Sequence, residues 1–261
     1  MSNSASAAST VGTSIPAVAA FSTEAYSAVN AKTLKSLGYL VVLIVLAVLA
    51  QRFGGDGSGQ RAGAPETATV EAGFDFYVLS LSWSPSYCEI EGADADKAQC
   101  DSGRPYAFVV HGLWPQFESG FPRDCPSTQG EPDRALVDAM LDIMPAPGLV
   151  RHEWRAHGTC SGHSPEDYFA ETRAAFAKIA IPAEFRRLER WTSVKPGELE
   201  RAFAAANPGL GLDAMAPVCG KRFLSEMRIC LTKSLDFRAC AEIDRNACRL
   251  DKAVMPPVRG G

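Results

Sequence analysis

The eight cysteines constrain the fold of this 261-residue chain most: Cys88, Cys100, Cys125, Cys160, Cys219, Cys230, Cys240 and Cys248 all lie beyond its N-terminal third. An even number of cysteines behind a leader-like segment fits a domain cross-linked by disulfides in an oxidising compartment. No C-x-x-C pair occurs, so neither a zinc ribbon nor a thioredoxin-type redox site is indicated. The sequence by itself leaves on the order of a hundred pairings open.

The leader-like segment is Leu37 to Ala50, apolar throughout and preceded by Lys32 and Lys35. Its order of charge, apolar run and the small residues of Val48-Leu49-Ala50 is that of a secretory signal peptide. It falls short of the roughly 20 apolar residues that span a bilayer. Residues 1–50 are therefore expected to be an N-terminal extension and signal peptide ending near Ala50. The product is then periplasmic or secreted, without stable membrane association. An uncleaved N-terminal anchor carrying an exported domain is the alternative. The polar, Ser/Ala-rich stretch from Met1 to Ala31 is long for a leader, as a start codon assigned too early would make it.

Residues 51–72 are rich in Gly, Ala and polar side chains without apolar periodicity and read as a flexible linker. That leaves 73–261 for one folded domain, and the chain's 46% hydrophobic content supplies its core. Its formal charge of −4 argues against a protein that coats duplexes by neutralising many phosphates. An enzyme that grips two or three nucleotides needs no such excess.

Strand-like runs are Phe74 to Trp83, Tyr106 to Val110, Phe223 to Leu231 and Leu235 to Ala241. Helical spacing marks Asp133 to Met144, stopping before Pro145. A second helix opens at an N-cap, Ser164, with Pro165 next, and reaches about Ile179; a third covers Pro196 to Ala206. Strands and helices do not alternate regularly, so the expected class is α+β, a central antiparallel sheet flanked by helices.

The chain has four histidines, and three sit in His111-Gly112-Leu113-Trp114-Pro115-Gln116 and in His152-Glu153-Trp154-Arg155-Ala156-His157-Gly158-Thr159-Cys160. If Leu149 to His157 is helical, Ala156 lies about 40° from His152, Glu153 about 100° and His157 about 140°, all on one face. Trp154, at about 200°, faces the core. The histidines are five residues apart, whereas H-E-x-x-H zinc sites need four, so no metal is expected. No G-x-S-x-G elbow points to a serine hydrolase. Two imidazoles can remove one proton and deliver another in one reaction, as cleavage of RNA by its own 2′-hydroxyl requires.

Both segments resemble the two active-site motifs of the ribonuclease T2 family. Further similarity lies in Phe76 to Cys88, in Phe121-Pro122-Arg123-Asp124-Cys125 and in Phe223-Leu224-Ser225-Glu226. The resemblance implies a ribonuclease T2-like catalytic domain over 73–261, cleaving RNA with little base specificity through a 2′,3′-cyclic phosphate to 3′-phosphates, without metal or cofactor. It implies His157 as general base, His111 as general acid, His152 as phosphate ligand and Glu153 as support for the transition state. Trp114 would stack a base, with Gln116 and Phe121 as further candidates for base contact. It also implies the pairs Cys88–Cys100, Cys125–Cys160, Cys219–Cys248 and Cys230–Cys240. DNA, lacking the 2′-hydroxyl, should be uncut, and a monomer is expected.

Ala156 departs from the family pattern, which has a phosphate-holding lysine there. Arg155, at about 300°, flanks His152 and is the candidate substitute for substrate binding, with Arg151 one turn before it. His163, outside the block, reads as a surface or capping residue. The alternative in another functional class is an exported RNA-binding or interaction protein on the same fold with weakened catalysis; a metal-dependent nuclease is a third.

Overall fold

The computed structural model describes residues 73–260. The expected signal segment, 1–50, and linker, 51–72, lie outside the described residues. No helix among the described residues is long and apolar enough to cross a membrane.

In chain order the elements are β1 (Phe76–Trp83), α1 (Ser84–Glu91), α2 (Lys97–Cys100), β2 (Phe108–Gln116), α3 (Arg134–Met140), α4 (Pro147–Ala156) and α5 (Pro165–Ala177). There follow β3 (Thr192–Val194), α6 (Pro196–Ala206), β4 (Met215–Cys219), β5 (Leu224–Leu231), α7 (Ala241–Arg245) and β6 (Ala253–Met255), with short 3-10 turns between. The class is α+β. Strands β2-β1-β5-β4 form one antiparallel sheet in that order, and β3 pairs antiparallel with β6.

Strand β1 is central and buried on both faces, which is why Phe-Tyr-Val-Leu-Ser-Leu-Ser-Trp carries so little polarity. The period of two divides it. Tyr77, Leu79 and Leu81 face the main core, where Trp154 of α4, Tyr168 and Phe169 of α5, and Phe203 of α6 cover them. Phe76 and Val78 face the other side and pack with Cys230, Cys240 and Trp114. Burying an aromatic of Trp154's size contributes about 3 kcal/mol or more, so α4 is anchored from behind.

The helix ends follow local chemistry. Asp133 caps α3 by accepting from the Leu136 amide at 2.7 Å, and Ser164 caps α5 by accepting from Asp167 at 3.1 Å. Helix α3 ends at Met140, short of the expected Met144. Other differences concern strands. β2 runs on through His111 to Gln116 instead of ending at Val110, and β4 lies outside the strand-like runs. Leu235 to Ala241 is not a strand: Leu235 has φ 63°, only Phe237 bridges to Leu231, and the chain then enters α7. The disulfides are Cys88–Cys100, Cys125–Cys160, Cys219–Cys248 and Cys230–Cys240, the pairs that the resemblance implies.

Candidate active site

His111 owes its position to an irregularity in the ladder. Ser80 pairs with Gly112 and Leu81 with Val110, so His111 is the extra residue of a β-bulge on β2. A bulge leaves its residue unpaired and re-aims its side chain. Here the imidazole turns between two carboxylates: Nδ1 lies 2.6 Å from Glu226 Oε1, and Nε2 lies 3.5 Å from Glu153 Oε1.

Glu226 comes from β5, two residues before Arg228 and on the same face of the strand. Arg228 donates to Glu226 Oε2 from Nε at 2.9 Å and pairs through Nη2 at 2.9 Å. Burial opposes charge on Glu226, but His111 and Arg228 outweigh it and hold the carboxyl down at about 2. For His111, burial likewise opposes the charged form, yet the bond to Glu226 and the charges of Glu153 and Glu226 raise its pKa above the ordinary imidazole value. Glu226 and Arg228 lie outside the two histidine segments, and the signal that points to them is two charges, two residues apart, inside a mostly apolar strand.

Helix α4 delivers Glu153, which is 1% exposed. Its Oε2 accepts from Trp114 Nε1 at 2.7 Å, across the backbone of Gly112. A Cβ at Gly112 would overlap that carboxylate and the indole nitrogen, so the glycine is required by the contact. Burial raises Glu153 to about 7, opposed by the charge of His111 and the hydrogen bond from Trp114.

His157 is not on the helix. Its amide closes the last turn on the Glu153 carbonyl at 2.9 Å, but its φ of −129° leaves helical space, so it caps α4. Its ring lies 5.2 Å from Trp114, which also meets His111 edge-on at 5.3 Å. Trp114 thus separates the two imidazoles. Nδ1 of His157 is buried without a hydrogen-bond partner among the described residues. Burial, joined by the positive charges of Arg123, His111 and His152 and opposed by Asp124, lowers its pKa to about 4.

These groups line one cleft of about 390 Å³, with His111, Glu153 and His157 inside and exposed His152 at its margin. Trp114, Gln116 and Phe121 supply apolar and amide surface, and Phe121 is 55% exposed. Arg123 and Arg228 are its guanidinium groups.

Arg155 is not among them. Its Nη1 lies 3.3 Å from Glu131 on the outer side of α4, and Arg151 donates to the Pro132 carbonyl at 2.7 Å. Acceptors at Glu131 and Pro132 draw both long side chains away from the cleft. His163 pairs with Glu171 at 3.2 Å and does not line the cleft. Among the described residues, no group of three or more His, Cys, Asp or Glu side chains is placed to hold a metal ion.

Residues 74–240 match the model of the ribonuclease T2 family. A protein named ribonuclease from Aeromonas hydrophila is 38% identical over 174 residues, covering 64% of this chain and 76% of its own. Among solved structures, an RNase-related protein from Calystegia sepium superposes with TM-score 0.57 at 19% identity, covering 70% of this chain and 97% of that one. Trichomaglin, described as a novel S-like ribonuclease, gives TM-score 0.57 at 19% identity over 71% and 98% of the two chains. At those identities the two structures speak for the fold alone.

Proposed function

The chain belongs to the ribonuclease T2 family, and on that premise we propose that it is an endoribonuclease that cuts single-stranded RNA with little base specificity, without a metal or other cofactor. Neutral His157 withdraws the 2′-hydroxyl proton. The 2′-oxygen attacks phosphorus, and protonated His111 gives its proton to the departing 5′-oxygen. The 2′,3′-cyclic phosphate so formed is hydrolysed with the roles exchanged, His111 now activating water and His157 protonating the 2′-oxygen, to leave a 3′-phosphate.

One observation carries the assignment: chemically identical imidazoles on one cleft have opposite electrical surroundings. His111 is held by Glu226, a carboxylate that stays charged, whereas His157 has a cation, Arg123, near it. The first environment favours the charged ring that an acid needs, the second the neutral ring that a base needs. Glu153, which burial raises to about 7, keeps its proton below that pH and can donate to a non-bridging phosphate oxygen. His152, at the cleft margin, contacts the phosphate. Phe121, exposed on the cleft, offers a face on which any base stacks, in keeping with low specificity.

The disulfides suit a periplasmic or secreted monomer, for which residues 1–50 supply the signal peptide and 51–72 a linker before the catalytic domain, 73–261. The deciding experiment is a product assay on oxidised protein with excess chelator. RNA should yield 2′,3′-cyclic phosphate and then 3′-phosphate ends, and DNA should stay intact. No cleavage at any pH from about 4, above which His157 is neutral, up to the ordinary imidazole range, in which the raised His111 still holds its proton, would overturn the reading. Arrest by chelator would replace it with a metal-dependent nuclease. RNA binding without turnover would identify the catalytically weakened binding protein that Ala156 brings into question.

A further inference from the structure

The reaction proposed above accumulates negative charge on phosphate oxygens, and a fixed positive group beside them is usually a large part of catalysis. Helix α4 does not supply it. Position 156 carries only a methyl group, 1% exposed, and the guanidinium groups of Arg151 and Arg155 are turned to Pro132 and Glu131. Within the cleft the candidates among the described residues are therefore Arg228 and Arg123.

Arg228 is committed elsewhere. Both Nε and Nη2 are engaged by Glu226, and the guanidinium lies 5.0 Å from the centre of the Trp114 ring. Withdrawing it would uncover the carboxylate that holds His111. Arg123 is differently placed: its one ion pair among the described residues is with Asp124, at 3.3 Å, with the two side chains 50% and 70% exposed. Exposed pairs of this kind contribute about 0–1 kcal/mol, so a phosphate displaces Asp124 at little cost.

The backbone that carries Arg123 is, by contrast, firmly held. Asp124 adopts a left-handed conformation, φ 50°, and its amide donates to the Ala156 carbonyl at 2.9 Å. The next residue, Cys125, is bonded to Cys160, with Cα atoms 5.0 Å apart. A free arginine head on a fixed stem is thus delivered to the last turn of α4, beside the residue that lacks a cation. We propose that Arg123 is the phosphate-holding cation of this cleft, a catalytic residue presented by the disulfide-tethered 121–125 loop and not by α4.

This inference rests on the ribonuclease reading, and its test separates the two. Wild type, Arg123→Lys and Arg123→Ala are compared on a dinucleotide substrate with chelator present, recording kcat and KM from acidic to neutral pH. Arg123→Ala should lose about a hundredfold in kcat with a smaller change in KM. Arg123→Lys should keep most of the rate, and millimolar guanidinium should restore part of the rate to Arg123→Ala. The charges facing His157 are Arg123, His111, His152 and Asp124. Removing the first raises the pKa of the base, so the acid limb of kcat/KM should move to higher pH. A structural role for Arg123 would move neither the acid limb nor the response to guanidinium. A fully folded Arg123→Ala with kcat within threefold of wild type overturns the inference, whatever the acid limb does, and leaves the ribonuclease reading standing. A loss that neither lysine nor guanidinium relieves overturns it too. Failure of the wild type to cleave RNA fells both.

Discussion

The strand wall of the cleft presents His111 and the end of the helix wall presents His157, and almost everything around these two imidazoles differs. His111 sits on a bulge in β2, a position set by strand register, and is held by a carboxylate that is itself braced by Arg228. His157 sits where α4 ends, with one ring nitrogen buried and without a hydrogen-bond partner among the described residues. Trp114 stands between them and bonds Glu153. One fold can hold the same side chain as an acid and as a base when neighbouring elements provide charges of opposite sign.

Removing either ring is the harshest challenge to that contrast. His157→Ala and His111→Ala should each lower kcat by about a thousandfold, within the range of positioned acid–base groups. Retention of a tenth of the activity by either variant in a steady-state assay would mean that another group does its work.

A subtler change is Glu226→Gln, which takes the charge from the strand wall while keeping its shape. His111 then loses the partner that keeps it protonated, so its pKa falls. The acid must be protonated to act, so the alkaline limb of the pH–rate profile should move to lower pH. At neutral pH the rate should fall by about tenfold. An unmoved alkaline limb would detach Glu226 from the acid. The acid limb, set by His157, should stay in place.

The smallest effect is expected from the residue that the helical projection favoured. Arg155→Ala should change kcat/KM by no more than about threefold, since exposed ion pairs contribute little. A loss comparable to that of Arg123→Ala would return the missing cation to α4.

What the sequence made legible was mostly local. Apolar runs disclosed β1 and β5, and capping chemistry at Asp133 and Ser164 located two helix starts. The two histidine segments disclosed most of the cleft because their spacing is short. The edge strands were less legible: Pro115 in β2 and Pro217 in β4 are unusual strand residues, and both strands are at the sheet's edges, where one side needs no ladder bond. The projection of α4 placed Trp154 against the core, but it could not see that His157 leaves helical geometry or that Glu131 captures Arg155. Arg123 and Glu226 reach the cleft through a disulfide and a strand pairing, contacts that no spacing along the chain encodes.

The contrast between the two walls can be read directly by nuclear magnetic resonance titration of the imidazole carbons, with signals assigned from the His111→Ala and His157→Ala variants. His157 should stay neutral down to about pH 4, and His111 should titrate above the ordinary imidazole value. The reverse order, or two coincident midpoints, would contradict the assignment of base and acid to these two walls.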